Sequence, residues 1–275
     1  MTASTPATDA DADATFKQFS MSEIKQILAL SKNAKSIEIK LSVPASGHRA
    51  TIKSIGLDPV EAEPRQVFFF DTPDMALNRA GIIVRARRIQ GGTADTVVKL
   101  RPVDPATVDA ELKHSESFKV ELDIMPGGFV CSASYKGVAT GEEVLDVTSG
   151  EKPLRSILSK GQRAFFKEHA PAGIDLDSLL VLGPTFLLKA KHKAEDFRYP
   201  MTIEMWLYPD GSRILEVSTK CEPDEALQVG LEFRAYLADK GIAITESQQT
   251  KTKTAMDFFR AELDEINAGG LLHGA

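Results

Sequence analysis

Seven short segments of this chain alternate residue by residue between apolar and polar side chains, and no other feature restricts its fold so tightly. In SIEIKLSV, residues 36–43, Ile37, Ile39, Leu41 and Val43 point one way while Ser36, Glu38, Lys40 and Ser42 point the other. GIIVRARRI (81–89) puts Arg85 and Arg87 on one face, and TVVKLRPV (96–103) does the same with Lys99 and Arg101. SFKVELDI (117–124) aligns Lys119, Glu121 and Asp123, and TFLLKAKHKA (185–194) aligns Lys189, Lys191 and Lys193. MTIEMWLY (201–208) and RILEVSTK (213–220) form a hairpin about Pro209-Asp210-Gly211, with Glu204 and Trp206 on one strand and Glu216, Ser218 and Lys220 on the other. A period of two is the signature of half-buried antiparallel strands. An eighth strand, over residues 66–71, precedes the turn DTPD, where Pro73 fixes φ for a tight bend.

Helical spacing appears between these strands. Residues 21–32 carry Ile24, Ile27, Leu28 and Leu30 behind a plausible N-cap at Ser22. Further helices are predicted over 153–169, 224–240 and 252–266, with a short one at 75–80 and a mobile loop over 102–115. Neither a solenoid period nor a break in composition divides the chain, so a single domain over 19–267 is expected, between an Ala/Thr/Asp-rich tail (1–18) and a short C-terminal tail (268–275). The longest apolar runs fall far short of the roughly 20 residues of a membrane helix. The N-terminus has neither the basic start nor the apolar stretch of a secretory signal. Two cysteines, Cys131 and Cys221, make no disulfide framework. A cytoplasmic protein with two structural thiols and no membrane partner is the expectation.

The polar faces do not balance. They bring ten cations (Lys40, Arg85, Arg87, Lys99, Arg101, Lys119, Lys189, Lys191, Lys193, Lys220) against five carboxylates (Glu38, Glu121, Asp123, Glu204, Glu216), in a chain of net charge −6. An ordinary sheet with one wet face would alternate too, and cross-strand charge pairs add only about 0.2–1 kcal/mol each. Like charges ~6 Å apart at an effective dielectric of ~20, however, repel by about 3 kcal/mol. A concavity lined this way needs a polyanion, and triphosphate is one, since Arg forks fit phosphate oxygens and Lys supplies point charge. Carboxylates among the cations make sense with Mg²⁺, which uses one or two protein carboxylates, water and the substrate's own phosphates. The acidic balance argues against a nucleic-acid partner.

In sequence the chain resembles CYTH-domain proteins of the triphosphate tunnel metalloenzyme superfamily, which includes class IV adenylate cyclases, thiamine triphosphatases and inorganic triphosphatases. The resemblance rests on SIEIK (36–40) against the ExExK marker, on FFFDTPDMALNRAGIIVRARR with its aromatic-Asp-Thr and R-x-R, on TVVKLRP, and on YPDGSRILEVSTK, in family order over most of residues 35–255. It implies an α+β fold, an eight-stranded antiparallel β-barrel with helices packed outside and charged residues inside. Arg85, Arg87, Lys99, Arg101, Lys189 and Lys191, with Lys119 and Lys220 on the same faces, are then phosphate ligands. Glu38, Glu204 and Glu216 are ligands of Mg²⁺ or Mn²⁺ or orient the attacking water, and Glu38 and Lys40 are the catalytic pair. The implied activity is metal-dependent hydrolysis of a phosphoanhydride in inorganic triphosphate, polyphosphate or a nucleoside triphosphate. A class IV adenylate cyclase and a non-catalytic phosphate-chain binder are the alternatives.

Two positions depart from the pattern: Ser36 replaces the first glutamate of the marker, and Ser218 stands where a second carboxylate would follow Glu216. Serine is a poor Mg²⁺ ligand, so metal binding and catalysis are affected before phosphate binding is. The run TKTKT (250–254) offers Lys251 or Lys253 as a late phosphate ligand of the kind the family often has, or only a solvated charge run. Trp206 either stacks on a ligand ring or fills the tunnel mouth, the latter being expected. The five histidines share no metal-like spacing, and no P-loop or GxSxG motif occurs.

Overall fold

The alternating segments close on one another. In the computed structural model, which describes residues 19–245 and 250–269, nine strands form a barrel: β1 (Ser36–Val43), β2 (Glu63–Asp71), β3 (Ile82–Ile89), β4 (Thr93–Leu100), β5 (Phe118–Met125), β6 (Gly128–Thr140), β7 (Leu180–His192), β8 (Met201–Leu207) and β9 (Arg213–Cys221). The order around the wall is β1-β5-β6-β4-β3-β2-β7-β8-β9, and β9 pairs back with β1. The barrel therefore has nine strands where eight were expected. An odd ring cannot alternate up and down throughout, so one neighbouring pair must run parallel, and it is β1 with β5 (Ser36 opposite Glu121, Glu38 opposite Asp123).

The extra strand is β6. Of its interior positions Ser132, Ser134 and Lys136 the first two are small and uncharged, so its alternation is muted in sequence. Gly137 in β6 lets a helix dock: a Cβ there would lie 2.3 Å from the amide oxygen of Gln162. Gln162 is fully buried, donates to Thr96 Oγ1 and the Tyr135 carbonyl, and accepts from the Ser159 N–H.

Eight helices are described: α1 (Met21–Ser31), α2 (His48–Ile55), α3 (Ala76–Arg79), α4 (Ala110–Lys113), α5 (Gly141–Thr148), α6 (Lys160–His169), α7 (Ala226–Asp239) and α8 (Lys251–Gly269). Ser20, two residues ahead of the expected Ser22, caps α1 in a reciprocal box with Glu23. The helix expected over 153–169 is broken into a 3-10 turn (Leu154–Ile157) and α6, because Ser159 starts a new capping box with Gln162. Short helix α4, capped by Asp109, occupies part of the segment read as a mobile loop. Helix α8 runs past the expected domain end at 267, into the first two residues of the predicted tail 268–275; the predicted tail 1–18 and residues 270–275 lie outside the described residues. None of the described helices is long and apolar enough to cross a membrane.

The outward faces of the strands and the helices share the main core. Ile37, Ile39, Leu41 and Val43 belong to it together with Val229, Phe233 and Leu237 of α7; Phe118 meets Phe165 of α6 edge to face at 5.4 Å. A second cluster lies inside one end of the barrel, where Ala255, Met256 and Phe259 of α8 pack on inward-facing Val67, Phe69, Leu187 and Trp206. Helix α8 thus stoppers that end, and Trp206, 3% exposed, is part of the packing. Asp71, fully buried, holds the adjoining α3 by accepting the Leu77 and Asn78 N–H groups. Met75, ahead of α3, is the described non-glycine residue with a left-handed backbone (φ 58°), held there by its burial in the same cluster. Cys131 and Cys221 are buried free thiols, each pushed up to about 11 by that burial, and so poorly nucleophilic.

Candidate functional site: a cation-lined tunnel

Strand register decides which charges meet. Glu38 lies opposite Lys220, Lys40 opposite Ser218, and Ser42 opposite Glu216 across β1 and β9. Glu216 then faces Glu204 on β8, and Glu204 faces Lys189 on β7. Across the barrel, Arg87 is opposite Asp95, and Lys99 is opposite Ser134. The period of two keeps these residues on the interior face.

They enclose a cavity of about 270 Å³ whose wall carries nine cations and five carboxylates. Among the sequence-predicted residues, Glu38, Lys40, Arg85, Arg87, Lys99, Arg101, Lys189, Glu204, Glu216 and Lys220 line it. Lys119 and Lys191 share the inward faces but lie outside this wall, and Lys193 follows the end of β7. Lys191 and Lys193 are exposed. Helix α8 closes its end of the barrel only in part: a second cavity of about 560 Å³ shares Ile83, Arg101, Met125, Thr250 and Thr252 with the first and continues beside α8.

Sequence reasoning missed two charged members of the wall, Asp95 and Lys136, and left a third, Lys251, open. Asp95 precedes the segment read as a strand but sits on the Lys99 face, four residues earlier. Lys136 belongs to the unanticipated β6. Lys251, offered as one of two candidates, enters the cavity, whereas Lys253 is exposed and pairs with Asp257 at 2.7 Å.

The carboxylates are shared among more cations than they can neutralise. Asp123, 2% exposed, pairs with Arg101 at 2.6 Å and Lys40 at 3.0 Å. Asp95 takes Arg87 in a fork (Nε at 3.0 Å from both oxygens) and lies 3.8 Å from Arg85. Glu121 takes Lys220 at 2.6 Å and Lys136 at 3.8 Å. Glu204 takes Lys189 at 2.9 Å on one oxygen and Lys251 at 2.5 Å on the other. Lys99 has no ion-pair partner among the described residues, and the buried Nε atoms of Arg85 and Arg101 have no hydrogen-bond partner.

Electrostatics follow this sharing. Burial and the neighbouring Arg101 push Lys99 well below the usual lysine range, and burial with Arg87 beside it pushes Arg85 down to about 10. Burial would also lower Lys40, but Asp123 and Glu38 outweigh it and raise the ammonium. Burial would raise Glu38, yet Lys40 and Lys220 hold it below the usual carboxylate range. Glu204 is held well down against its burial by Lys251 and Lys189, whereas burial prevails at Glu216 and raises it.

The carboxylates read as metal ligands do not form an open ligand set. Glu204 and Glu216 are bridged by the Lys251 ammonium, and Glu38 accepts from Ser218 Oγ at 3.0 Å while facing Lys40 and Lys220. Among the described residues no group of three or more His, Cys, Asp or Glu could hold a metal ion. What the cavity offers chemically is a concentration of hydrogen-bond donors and positive charge for an anion with several oxygens.

No family model matches the chain, and no curated protein matches it. Solved structures do. A Hippeastrum protein, provisionally named an adenylyl cyclase and found to have a dominant triphosphatase activity, superposes with a TM-score of 0.58 at 19% identity, covering 81% of this chain and 96% of that one. A Bacillus halodurans protein, provisionally named an adenylate cyclase, superposes with a TM-score of 0.56 at 13% identity over 80% and 97% of the two chains. At these identities the likeness is one of fold.

Proposed function

We propose that this chain, a protein of the CYTH-type triphosphate-tunnel fold, binds triphosphate-containing molecules in its cation-lined cavity and hydrolyses a phosphoanhydride bond, inorganic triphosphate being its first substrate. The observation that carries the reading is the unpaired Lys99, set with the partnerless Nε atoms of Arg85 and Arg101 in a wall where cations outnumber carboxylates. A buried donor without an acceptor costs about 1–3 kcal/mol, and phosphate oxygens would remove that cost. The triphosphatase activity of the Hippeastrum protein of like fold supports hydrolysis.

Arg85, Arg87, Lys99, Arg101 and Lys189 would grip the phosphates, with Lys119, Lys191 and Lys220 drawing the chain in from the open end. Lys40, whose charge Asp123 and Glu38 secure, would neutralise charge developing on the leaving phosphate. Glu38, lowered by Lys40 and Lys220, stays ionised and suits orienting an attacking water better than removing its proton. A divalent Mg²⁺ or Mn²⁺ would supply Lewis-acid polarisation, but the Lys251 bridge between Glu204 and Glu216 and the Ser218 bond to Glu38 do not fit a resident ion. The same contacts favour a second reading, a tunnel that holds phosphate chains without cutting them.

Phosphate release from tripolyphosphate, ATP and thiamine triphosphate, each with EDTA, Mg²⁺ or Mn²⁺, separates these readings. Release from tripolyphosphate is expected, and Glu38→Gln should abolish it while leaving the circular dichroism spectrum unchanged. Cyclic AMP from ATP would replace the hydrolase with a cyclase. Tight tripolyphosphate binding with no turnover would leave the holding function alone.

A further inference from the structure

We infer that the tunnel carries its own cation: the Lys251 ammonium, delivered by α8, stands between Glu204 and Glu216 in the place a divalent ion would need, so that this protein engages phosphate chains without a resident metal. The inference rests on the proposed triphosphate binding and specifies its cofactor requirement.

Lys251 Nζ lies 2.5 Å from Glu204 Oε2 and 2.5 Å from Glu216 Oε1. Its side chain is 11% exposed and those of the two glutamates 11% and 6%, so the contact is an interior one. Other contacts fix it there. The Trp206 indole N–H donates to Glu204 Oε2 at 3.2 Å, and its ring lies 5.6 Å from the ammonium. Tyr208 donates its hydroxyl to the Lys251 carbonyl at 3.1 Å, and Thr250 Oγ1 accepts the Lys253 N–H at the start of α8. With Lys189 on its second oxygen, Glu204 has both oxygens engaged. The two serines complete the picture. Ser218 donates to Glu38 in place of adding a charged ligand, and Ser36 lies opposite Glu121 with no carboxylate to give. Hard divalent cations are held by carboxylate oxygens, and here both oxygens of Glu204 and one of Glu216 already serve lysines.

Two experiments on the intact protein decide it. Electron paramagnetic resonance of free Mn²⁺ should show no uptake by the wild-type protein, whereas Lys251→Met, which frees Glu204 and Glu216, should gain at least about tenfold in Mn²⁺ affinity, about 1.4 kcal/mol. Calorimetric titration with tripolyphosphate should give wild-type affinity in EDTA at least equal to that in Mg²⁺. Tight Mn²⁺ uptake by the wild-type protein, or tripolyphosphate binding that requires Mg²⁺, would overturn the inference while leaving the triphosphate reading standing. Absence of tripolyphosphate binding under both conditions would instead remove that reading and the inference with it. The wild-type arms stand even if Lys251→Met fails to fold.

Discussion

At the scale of single residues, the ligand-free protein holds charge in an unfavourable place. Lys99 is pushed well below the usual lysine value of 10.5, chiefly by burial. Between the lowered value and 10.5 the unfolded chain binds more protons there than the folded one, so stability rises with pH across that window. Below it the buried ammonium costs stability in full. Lys99→Met should therefore raise the melting temperature of the ligand-free protein, by about 2–4 °C for each kcal/mol relieved, with the gain shrinking as pH rises. The same change should weaken tripolyphosphate binding. A lower melting temperature with undiminished binding would mean that Lys99 is an ordinary packed residue. Much of this site was legible: Glu38, Lys40, Arg85, Arg87, Lys99 and Arg101 sit where the period of two put them. Pairing was not. That Asp123 is divided between Lys40 and Arg101, or that Lys251 reaches Glu216, depends on contacts between distant strands and helices that no local pattern encodes.

At the scale of elements, α8 connects packing to the site. Phe259, 2% exposed, and Met256 anchor it on inward-facing strand residues, and the same helix carries Lys251 into the cavity. Phe259→Ala should cost about 3–5 kcal/mol in denaturant unfolding; a loss under about 1 kcal/mol would show that α8 does not stopper the barrel. Legibility varied by element for physical reasons. Strands with charged inner faces, β1, β3 and β4, announced themselves, whereas β6, with Ser132 and Ser134 inside, did not. Residues 153–169 show helical spacing throughout, yet the Ser159–Gln162 box starts a fresh helix. A one-strand error in the barrel was thus an error about serines, and its consequence, the parallel β1/β5 pair, followed from ring parity.

At the scale of the whole molecule, charge is segregated. The chain is net −6 while its cavity wall carries more cations than carboxylates, so the outer surface is more acidic than the total suggests. The barrel interior, little screened by salt, holds its field. The central claim is that this interior binds a triphosphate. Titration calorimetry of tripolyphosphate into the wild-type protein, Lys99→Ala and Arg87→Ala tests it most directly. One equivalent should bind the wild type, and each variant should lose roughly 1.5–3 kcal/mol, the worth of a charged hydrogen bond. Unchanged affinity in both variants, or no binding to any of the three, would contradict the assignment of the tunnel.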